Sequence, residues 1–350
     1  MRVAIVGATG NVGTSLLDSL AREPSVESVL GIARRLPRSE FPKTEWRKAD
    51  IRSDDLVPLF RGADAVVHLA WAIQPSRDDA ALRATNLTGS ARVLRAVAEA
   101  HVPTLVYASS VGTYSPGPKD RFVDESWPAE GIATSFYSRH KAEVERMLDR
   151  FEAENKAVRV VRMRPALIFK RTAASGIRRL FVGPFLPSPL LRRALVPFVP
   201  SHPSLRFQGI HSEDVGEAFR LALVRPVQGA FNLAADPVLD GPELARLADA
   251  RVVHVSRRLL RRAVEMSWRL HLQPSPPGWV DLGFGVPLMA CDRARETLGW
   301  SPRHTAAEAL QELVAGFRDR AGKETPPLAP DSGGPLRSQE IASGLGERER

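Results

Sequence analysis

Tyr137 and Lys141 stand four residues apart in Tyr-Ser-Arg-His-Lys, so on a helix they share one face. A phenol titrates near pH 10 and is a poor acid or base at neutral pH. An ammonium beside it favours the phenolate and draws its titration toward the working range. A serine hydroxyl in reach can hold the oxygen that gains or loses the proton. Ser109 and Ser110 are the candidates, because they follow the strand-like run Thr104–Ala108. Any Tyr-x-x-x-Lys pair alone is a common coincidence. This one opens a predicted helix, about Ser138 to Glu154, shortly after a strand that ends in Ser-Ser.

A second group of residues could hold a phosphate. Val3-Ala4-Ile5-Val6 reads as a buried strand, and Leu16, Leu17 and Leu20 recur at helical spacing. Between them lies Gly7-Ala8-Thr9-Gly10-Asn11-Val12-Gly13. Strand, glycine turn and helix together put a helix N-terminus under a phosphate. Gly7 can take the tight turn, Gly10 lets backbone approach a pyrophosphate, and Gly13 lets helix pack on strand. The spacing is G-x-x-G-x-x-G, not the G-x-G-x-x-G of the usual dinucleotide fingerprint. The second strand, Val26–Ala33, ends in Arg34-Arg35 with no acidic residue to bond a ribose 2′-hydroxyl. Arginine there can accept a 2′-phosphate, which favours NADP(H) and leaves NAD(H) open. After the third strand, Asp50 could bond an adenine amino group, and Ile51 could cover the ring.

The elements that must carry these groups alternate. Strand-like runs at Val3–Val6, Val26–Ala33, Asp64–Ala70, Thr104–Ala108 and Arg159–Arg164 are separated by helical patterns, including a long one from about Ala80 to Ala100. Such alternation implies an α/β fold with a doubly wound parallel sheet, whose ligands sit past the carboxyl ends of the strands. The Ser-Ser, glycine and arginine groups all follow strands.

Composition narrows the classes. The 350 residues carry a net charge of +9 and 43% hydrophobic residues, enough for a substantial core. A single cysteine, Cys291, excludes an internal disulfide framework, fits a reducing cytoplasm and reads as core filler. Neither a secretory h-region nor a membrane span is expected. The most apolar window, Leu180–Pro200, is broken by Arg192, Arg193 and five prolines, and reads as a folded-over segment. The densest basic cluster, Arg257-Arg258 with Arg261-Arg262, lacks interleaved aromatics and reads as a solvated helix face, so nucleic acid is disfavoured. No metal-ligand spacing is present among the histidines.

In order along about Met1 to Phe317, these landmarks resemble the extended short-chain dehydrogenase/reductases of the NAD(P)-dependent epimerase/dehydratase type. Thr9-Gly10 lead a turn similar to that family's Thr-Gly-x-x-Gly-x-x-Gly. His68-Leu69-Ala70-Trp71 resembles its His-Leu-Ala-Ala stretch lining the cofactor. Asn86-Leu87-Thr88-Gly89, Val106-Tyr107-Ala108-Ser109-Ser110, the Tyr137/Lys141 pair, Arg164-Pro165, Ile210–Val215 and Leu298–Pro302 match further landmarks. The resemblance implies a Rossmann-type doubly wound parallel sheet with a smaller C-terminal substrate-binding lobe. Its expected limits are residues 1–168 for the NAD(P)-binding domain, with sheet-completing segments near 205–235. Residues 169–204 and 236–320 would form the lobe, and 321–350 a disordered tail.

The resemblance also implies roles. Tyr137 would be the acid/base, Lys141 would bond the nicotinamide ribose and lower the phenol's pKa, and Ser110 would orient the substrate oxygen, with Ser109 the adjacent candidate. Asn86 would hold active-site backbone or a water. Leu69, Ala70, Trp71 and Pro165 would line the cofactor. Val111-Gly112 after Ser110, where dehydratase-type relatives carry acidic residues, argues against a sugar 4,6-dehydratase. An oxidoreductase or epimerase acting on a carbonyl or hydroxyl compound is the leading reading. A nucleotide-sugar epimerase with tightly bound NAD is the alternative. A redox-sensing or nucleic-acid-associated regulator is the non-enzymatic one. Many members of the family dimerise, so a homodimer is an open expectation.

In the lobe, Arg178, Arg179, Arg192 and Arg193 could clamp a diphosphate, while Phe181, Phe185, Leu190, Leu191 and Phe198 could wall an apolar pocket. The sequence does not separate these. Trp268, Trp279 and Phe284 read as core packing rather than substrate stacking.

Overall fold

The apolar, β-branched runs become the inner strands of a seven-stranded parallel sheet in the computed structural model, which describes residues 1–73, 78–181, 198–273, 275–319 and 321–330. The strands are β1 (Arg2–Val6), β2 (Ser28–Ala33), β3 (Thr44–Lys48), β4 (Ala65–His68), β5 (Thr104–Ala108), β6 (Arg159–Pro165) and β7 (Gly229–Leu233). Their order across the sheet is β7-β6-β5-β4-β1-β2-β3, with every pairing parallel. Along β1, Val3 and Ile5 enter the core on one face while Ala4 and Val6 enter the core on the other. Alternate side chains of a strand point to opposite faces, so a strand buried on both sides has to be apolar throughout.

Helices cover both faces. Helices α1 (Asn11–Ala21) and α4 (Ser212–Val224) pack on one side, and α2 (Gly89–Glu99) and α3 (Phe136–Glu154) on the other. The α1–α4 contact is close enough that a Cβ on Gly216 would lie 2.7 Å from the Ser15 backbone. The helix expected from about Ala80 to Ala100 is not continuous. Asp79–Arg83 is α-helical, Ala84–Thr88 is a π-turn, and α2 follows. A π-turn inserts one residue and rotates the helix face, and such turns cluster at functional sites.

The remainder forms the lobe. Strands Leu167–Phe169, Phe207–His211 and Ala235–Leu239 make a three-stranded sheet, so of the segments near 205–235 only Gly229–Leu233 joins the main sheet. Helices α5 (Arg257–Arg269), α6 (Gly278–Gly285) and α7 (Ala306–Asp319) complete the lobe. Residues 321–330, expected to belong to a disordered tail, are packed instead. Thr325 and Leu328 are buried, Lys323 pairs with Asp18, and the amide of Arg38 donates to Glu324 O. Residues 331–350 lie outside the described residues. So do Phe185, Leu190, Leu191, Arg192 and Arg193, and the side chains of Arg178, Arg179 and Phe181, so the proposed diphosphate clamp has no described side chain. Cys291 is buried, and burial pushes its thiol up to about 12. Among the described residues no helix is long and apolar enough to cross a membrane.

Candidate active site

The chain leaves β1 toward β2 on one side and returns to β4 on the other, which opens a crevice past the carboxyl ends of β1 and β4. The loop after β1 lines it. Gly7 has φ +87°, and a Cβ there would meet Ala70 N at 2.7 Å, so only glycine allows this approach. A Cβ on Gly13 would lie 2.4 Å from Ala8 O, so the start of the helix lies close against the turn. Gly10 caps α1 in an extended conformation with no side-chain acceptor, and no acidic residue stands in the first turn. The first-turn amides and the positive end of the helix are thus left for an anion. Asn11 Oδ1 is buried without a hydrogen-bond partner beside them. An open amide end, a glycine cradle and an orphaned acceptor fit a dinucleotide's pyrophosphate and its hydroxyls. Thr9 is buried and Val12 half-buried in the same turn.

The segment after β4 links this loop to the chemistry. Ala70 touches Gly7, and Trp71 reaches the catalytic candidates. Lys141 Nζ lies 3.6 Å from the centre of the Trp71 ring, and the Trp71 and Tyr137 rings meet edge-on at 6.1 Å. Asn86 holds the segment in place. Its Oδ1 accepts from Ala72 N at 2.7 Å and its Nδ2 donates to Ala72 O at 3.1 Å. Asn86 sits in the π-turn, which turns its fully buried side chain inward. Trp71 Nε1 is buried with no hydrogen-bond partner.

Tyr137 and Lys141 lie one turn apart at the start of α3, beneath the end of β5. Ser110 Oγ accepts from Gly112 N at 3.0 Å, and it stands with the Tyr137 ring over Gly112, where a Cβ would lie 3.3 Å from Ser110 Oγ. The Tyr137 ring lies over Gly112, where a Cβ would stand 2.7 Å from it. Burial pushes the phenol up to about 12, against a smaller downward pull from Ser110. Lys141 is buried too. Its Nζ donates to Ala108 O at 2.6 Å and to Tyr107 Oη at 3.3 Å, and burial brings it down to about 7, against the pull of Glu145. The ammonium therefore does not depress the phenol as expected here, because its hydrogen bonds run to β5 rather than to Tyr137.

Several expected residues land elsewhere. Ser109 Oγ donates to Glu145 at 2.5 Å, inside a buried cluster, so its hydroxyl faces away from the crevice and Ser110 alone is placed beside the phenol. Glu145 also receives both Nε and Nη2 of Arg164 at 3.0 Å and Nη1 of Arg162 at 3.0 Å. Burial would raise this carboxyl, but Arg164 and Arg162 carry it down to about 2. Arg164 continues to Tyr114 Oη at 3.1 Å, which donates to Asn232 at 2.6 Å. Ile51 is core rather than a ring cover, since its side chain packs against Gly89. The Asp50 carboxylate is engaged by Arg52, at 2.7 Å from Nη2. Arg34 stands exposed at the end of β2 within the field of Asp50, and Arg35 is exposed beside it. Pro165 is buried at the end of β6.

Trp279, read from the sequence as core packing, does pack beside a small cluster of Ile132, Leu282 and Val286, and it also reaches the site. Trp279, on α6, stacks on Tyr137 with ring centres 5.2 Å apart, so the phenol lies between two indoles from opposite lobes. No local spacing signals this, because the two residues stand 142 positions apart. His211, Glu213 and His304 also come together, with ligand-type atoms within 4.8 Å. Both rings are engaged there. His211 Nδ1 accepts from Glu213 N and caps α4, its Nε2 meets Glu312 at 3.2 Å, and His304 Nδ1 meets Asp214 at 3.1 Å.

Comparison with known proteins agrees with this architecture. An uncharacterized protein of Mycobacterium tuberculosis is 29% identical over 325 residues, which is 92% of this chain but 31% of that one. The chain thus spans about a third of the length of that relative. The decarboxylating sterol-4-alpha-carboxylate 3-dehydrogenase of Candida albicans is 28% identical over 192 residues, 52% of this chain and 53% of that one. The structure of a UDP-glucose-4-epimerase from Stenotrophomonas maltophila, with bound NAD and formylated UDP-arabinopyranose, superposes with a TM-score of 0.67. It is 20% identical and covers 91% of this chain and 98% of that one, a likeness of fold. The profile of the NAD dependent epimerase/dehydratase family matches residues 3–234. With that match over most of its length and the sheet order just described, the chain belongs to the NAD dependent epimerase/dehydratase family.

Proposed function

We propose that this protein is an NAD(P)-dependent oxidoreductase or epimerase acting at a hydroxyl or carbonyl carbon, with Tyr137 as acid/base. The observation that carries the reading is the placing of Ser110 Oγ and the Tyr137 ring together over Gly112, where a Cβ would lie 3.3 Å from the one and 2.7 Å from the other, set beside Lys141 and joined through Trp71 to the glycine loop. A nicotinamide dinucleotide would be held by the α1 amides, the Gly7–Gly13 turn and the Leu69–Trp71 segment, and supplies a hydride donor or acceptor when bound. The chain's own residues do the rest. Ser110 holds the substrate oxygen. Tyr137 gives that oxygen a proton in the reductive direction and takes one in the oxidative direction. Lys141 would hold the nicotinamide ribose from its place one turn along α3 from the phenol. Trp71 and Trp279 keep water from the phenol.

NADP(H) is the favoured cofactor, on the strength of Arg34 and Arg35 at the end of β2. A nucleotide-sugar epimerase that retains NAD is the second reading, favoured by the fold shared with the UDP-glucose-4-epimerase. The two separate on release. A reductase exchanges its dinucleotide with solution, whereas such an epimerase purifies with it. The central test is Tyr137→Phe, which removes the transferred proton and spares the ring packing. Turnover should fall about 10²–10⁴-fold with dinucleotide affinity nearly unchanged. Undiminished turnover overturns the proton-transfer role.

A further inference from the structure

Helix α5 has no buried residue along Arg257–Arg269, although it carries five large apolar side chains in its sequence Arg-Arg-Leu-Leu-Arg-Arg-Ala-Val-Glu-Met-Ser-Trp-Arg. The side facing the protein is held by charge. Arg261 Nε meets Asp281 of α6 at 3.0 Å, and Arg257 meets the same carboxylate at 3.6 Å. Leu260, Val264 and Trp268 are half-buried on that side. The outward side is where polar residues belong on an ordinary surface helix. Here it carries Leu259, Met266 and Leu270, exposed by 66%, 61% and 60%. At 100° per residue these positions lie within one narrow sector, and Arg258, Arg262 and Arg269 line its edge. Arg269 pairs with Glu265, while Arg258 and Arg262 have no acidic partner among the described residues. The helix holds five arginines against one glutamate. The neighbouring strand Arg251–His254 is exposed along its length, with Val252 and Val253 outward, and Phe198 on its paired strand is 57% exposed.

Single exposed leucines are ordinary. A continuous stripe edged by unpaired arginines is a pattern of another kind, that of a helix lying in a bilayer interface with its apolar residues in the acyl boundary and its cations at anionic headgroups. We propose that the outer face of α5 docks on an anionic lipid surface, with Leu259, Met266 and Leu270 inserted and Arg258 and Arg262 on the headgroups. The charge selects this occupant. A second copy of the chain would bring two arginine rows of like sign together, whereas an anionic bilayer complements them. The docked face lies close to the site, because α6, which anchors α5 through Asp281, also carries Trp279 against Tyr137. The inference is independent of the reaction proposed above.

The test uses the full chain and co-sedimentation with vesicles of phosphatidylcholine containing phosphatidylglycerol, against vesicles of phosphatidylcholine alone. Binding to the anionic vesicles should be at least about tenfold tighter and should weaken with salt. Leu259→Glu with Met266→Glu should weaken it about tenfold or more, and Arg258→Ala with Arg262→Ala by a similar factor, with the melting temperature unchanged in both. Absence of vesicle binding overturns the proposal. So does binding that the arginine pair abolishes but the leucine–methionine pair leaves intact, since that is adhesion by charge alone. Concentration-dependent self-association lost in Leu259→Glu, without vesicle binding, assigns the face to a second copy. A lower melting temperature in Leu259→Glu, without vesicle binding, assigns it to another part of this chain.

Discussion

Glu145→Gln removes one negative charge at nearly constant shape and leaves Arg164 buried without its anion. Glu145 accepts from Ser109, Arg162 and Arg164 together. Arg162 keeps Asp149 and Glu152 as partners, so the loss falls on Arg164, which retains only Tyr114 and a backbone carbonyl. Two routes give the magnitude. Truncating one partner of a buried ion pair costs about 3–5 kcal/mol. Independently, holding a carboxyl at about 2 rather than its ordinary value of about 4.3 is worth about 3 kcal/mol, at about 1.4 kcal/mol per pH unit. A loss of that size should lower the melting temperature by about 4–7 °C in a chain this long.

The pH dependence has a definite sign. A folded-state pKa below the unfolded one stabilises the protein fully above about pH 4.5, and the contribution is lost as pH falls toward about 2. Wild type should therefore lose stability through that acid window, and the gap between it and Glu145→Gln should close there. The double variant Glu145→Gln with Arg164→Met should recover part of the loss, because removing both charges is often close to neutral. Calorimetry across pH 2–7 reads wild type, the two single variants Glu145→Gln and Arg164→Met, and the double variant. A single-variant loss below about 1 kcal/mol, or a double variant no better than the sum of the singles, refutes the account of this cluster as a coupled ion pair.

Asn86→Ala should cost about 2–4 kcal/mol, since it strands both the N–H and the C=O of buried Ala72. Dinucleotide affinity, read by fluorescence titration on the folded variant, should fall with it, and unchanged affinity would detach Asn86 from the cofactor side of the crevice. Arg34→Ala with Arg35→Ala should weaken NADPH more than NADH; equal weakening of the two would remove the 2′-phosphate argument. Ending the chain after Gly322 should cost about 2–4 kcal/mol in chemical denaturation, because it unburies Leu328 and breaks the Lys323–Asp18 pair. An unchanged midpoint would show that this packed stretch contributes nothing.

What the linear order of residues determined by itself was whatever depends on neighbours within a turn or a strand. The Val3–Val6 run, the three glycines and the Tyr137/Lys141 spacing each specify a local geometry, and each stands where its pattern puts it. Periods of two and 3.6 carry that information directly. The tertiary structure decided the contacts between residues far apart in the chain. It turned Ser109 into a partner of Glu145, put Ile51 in the core and wound Asn86 into a π-turn that ties down Trp71. It set Trp279 on a phenol 142 positions earlier in the numbering, and it packed Leu328 where a polar stretch promised no structure. Burial decided the titrations as well. The same phenol and amine that would assist each other in water are driven apart, toward about 12 and about 7, by the low polarity that only the finished fold creates.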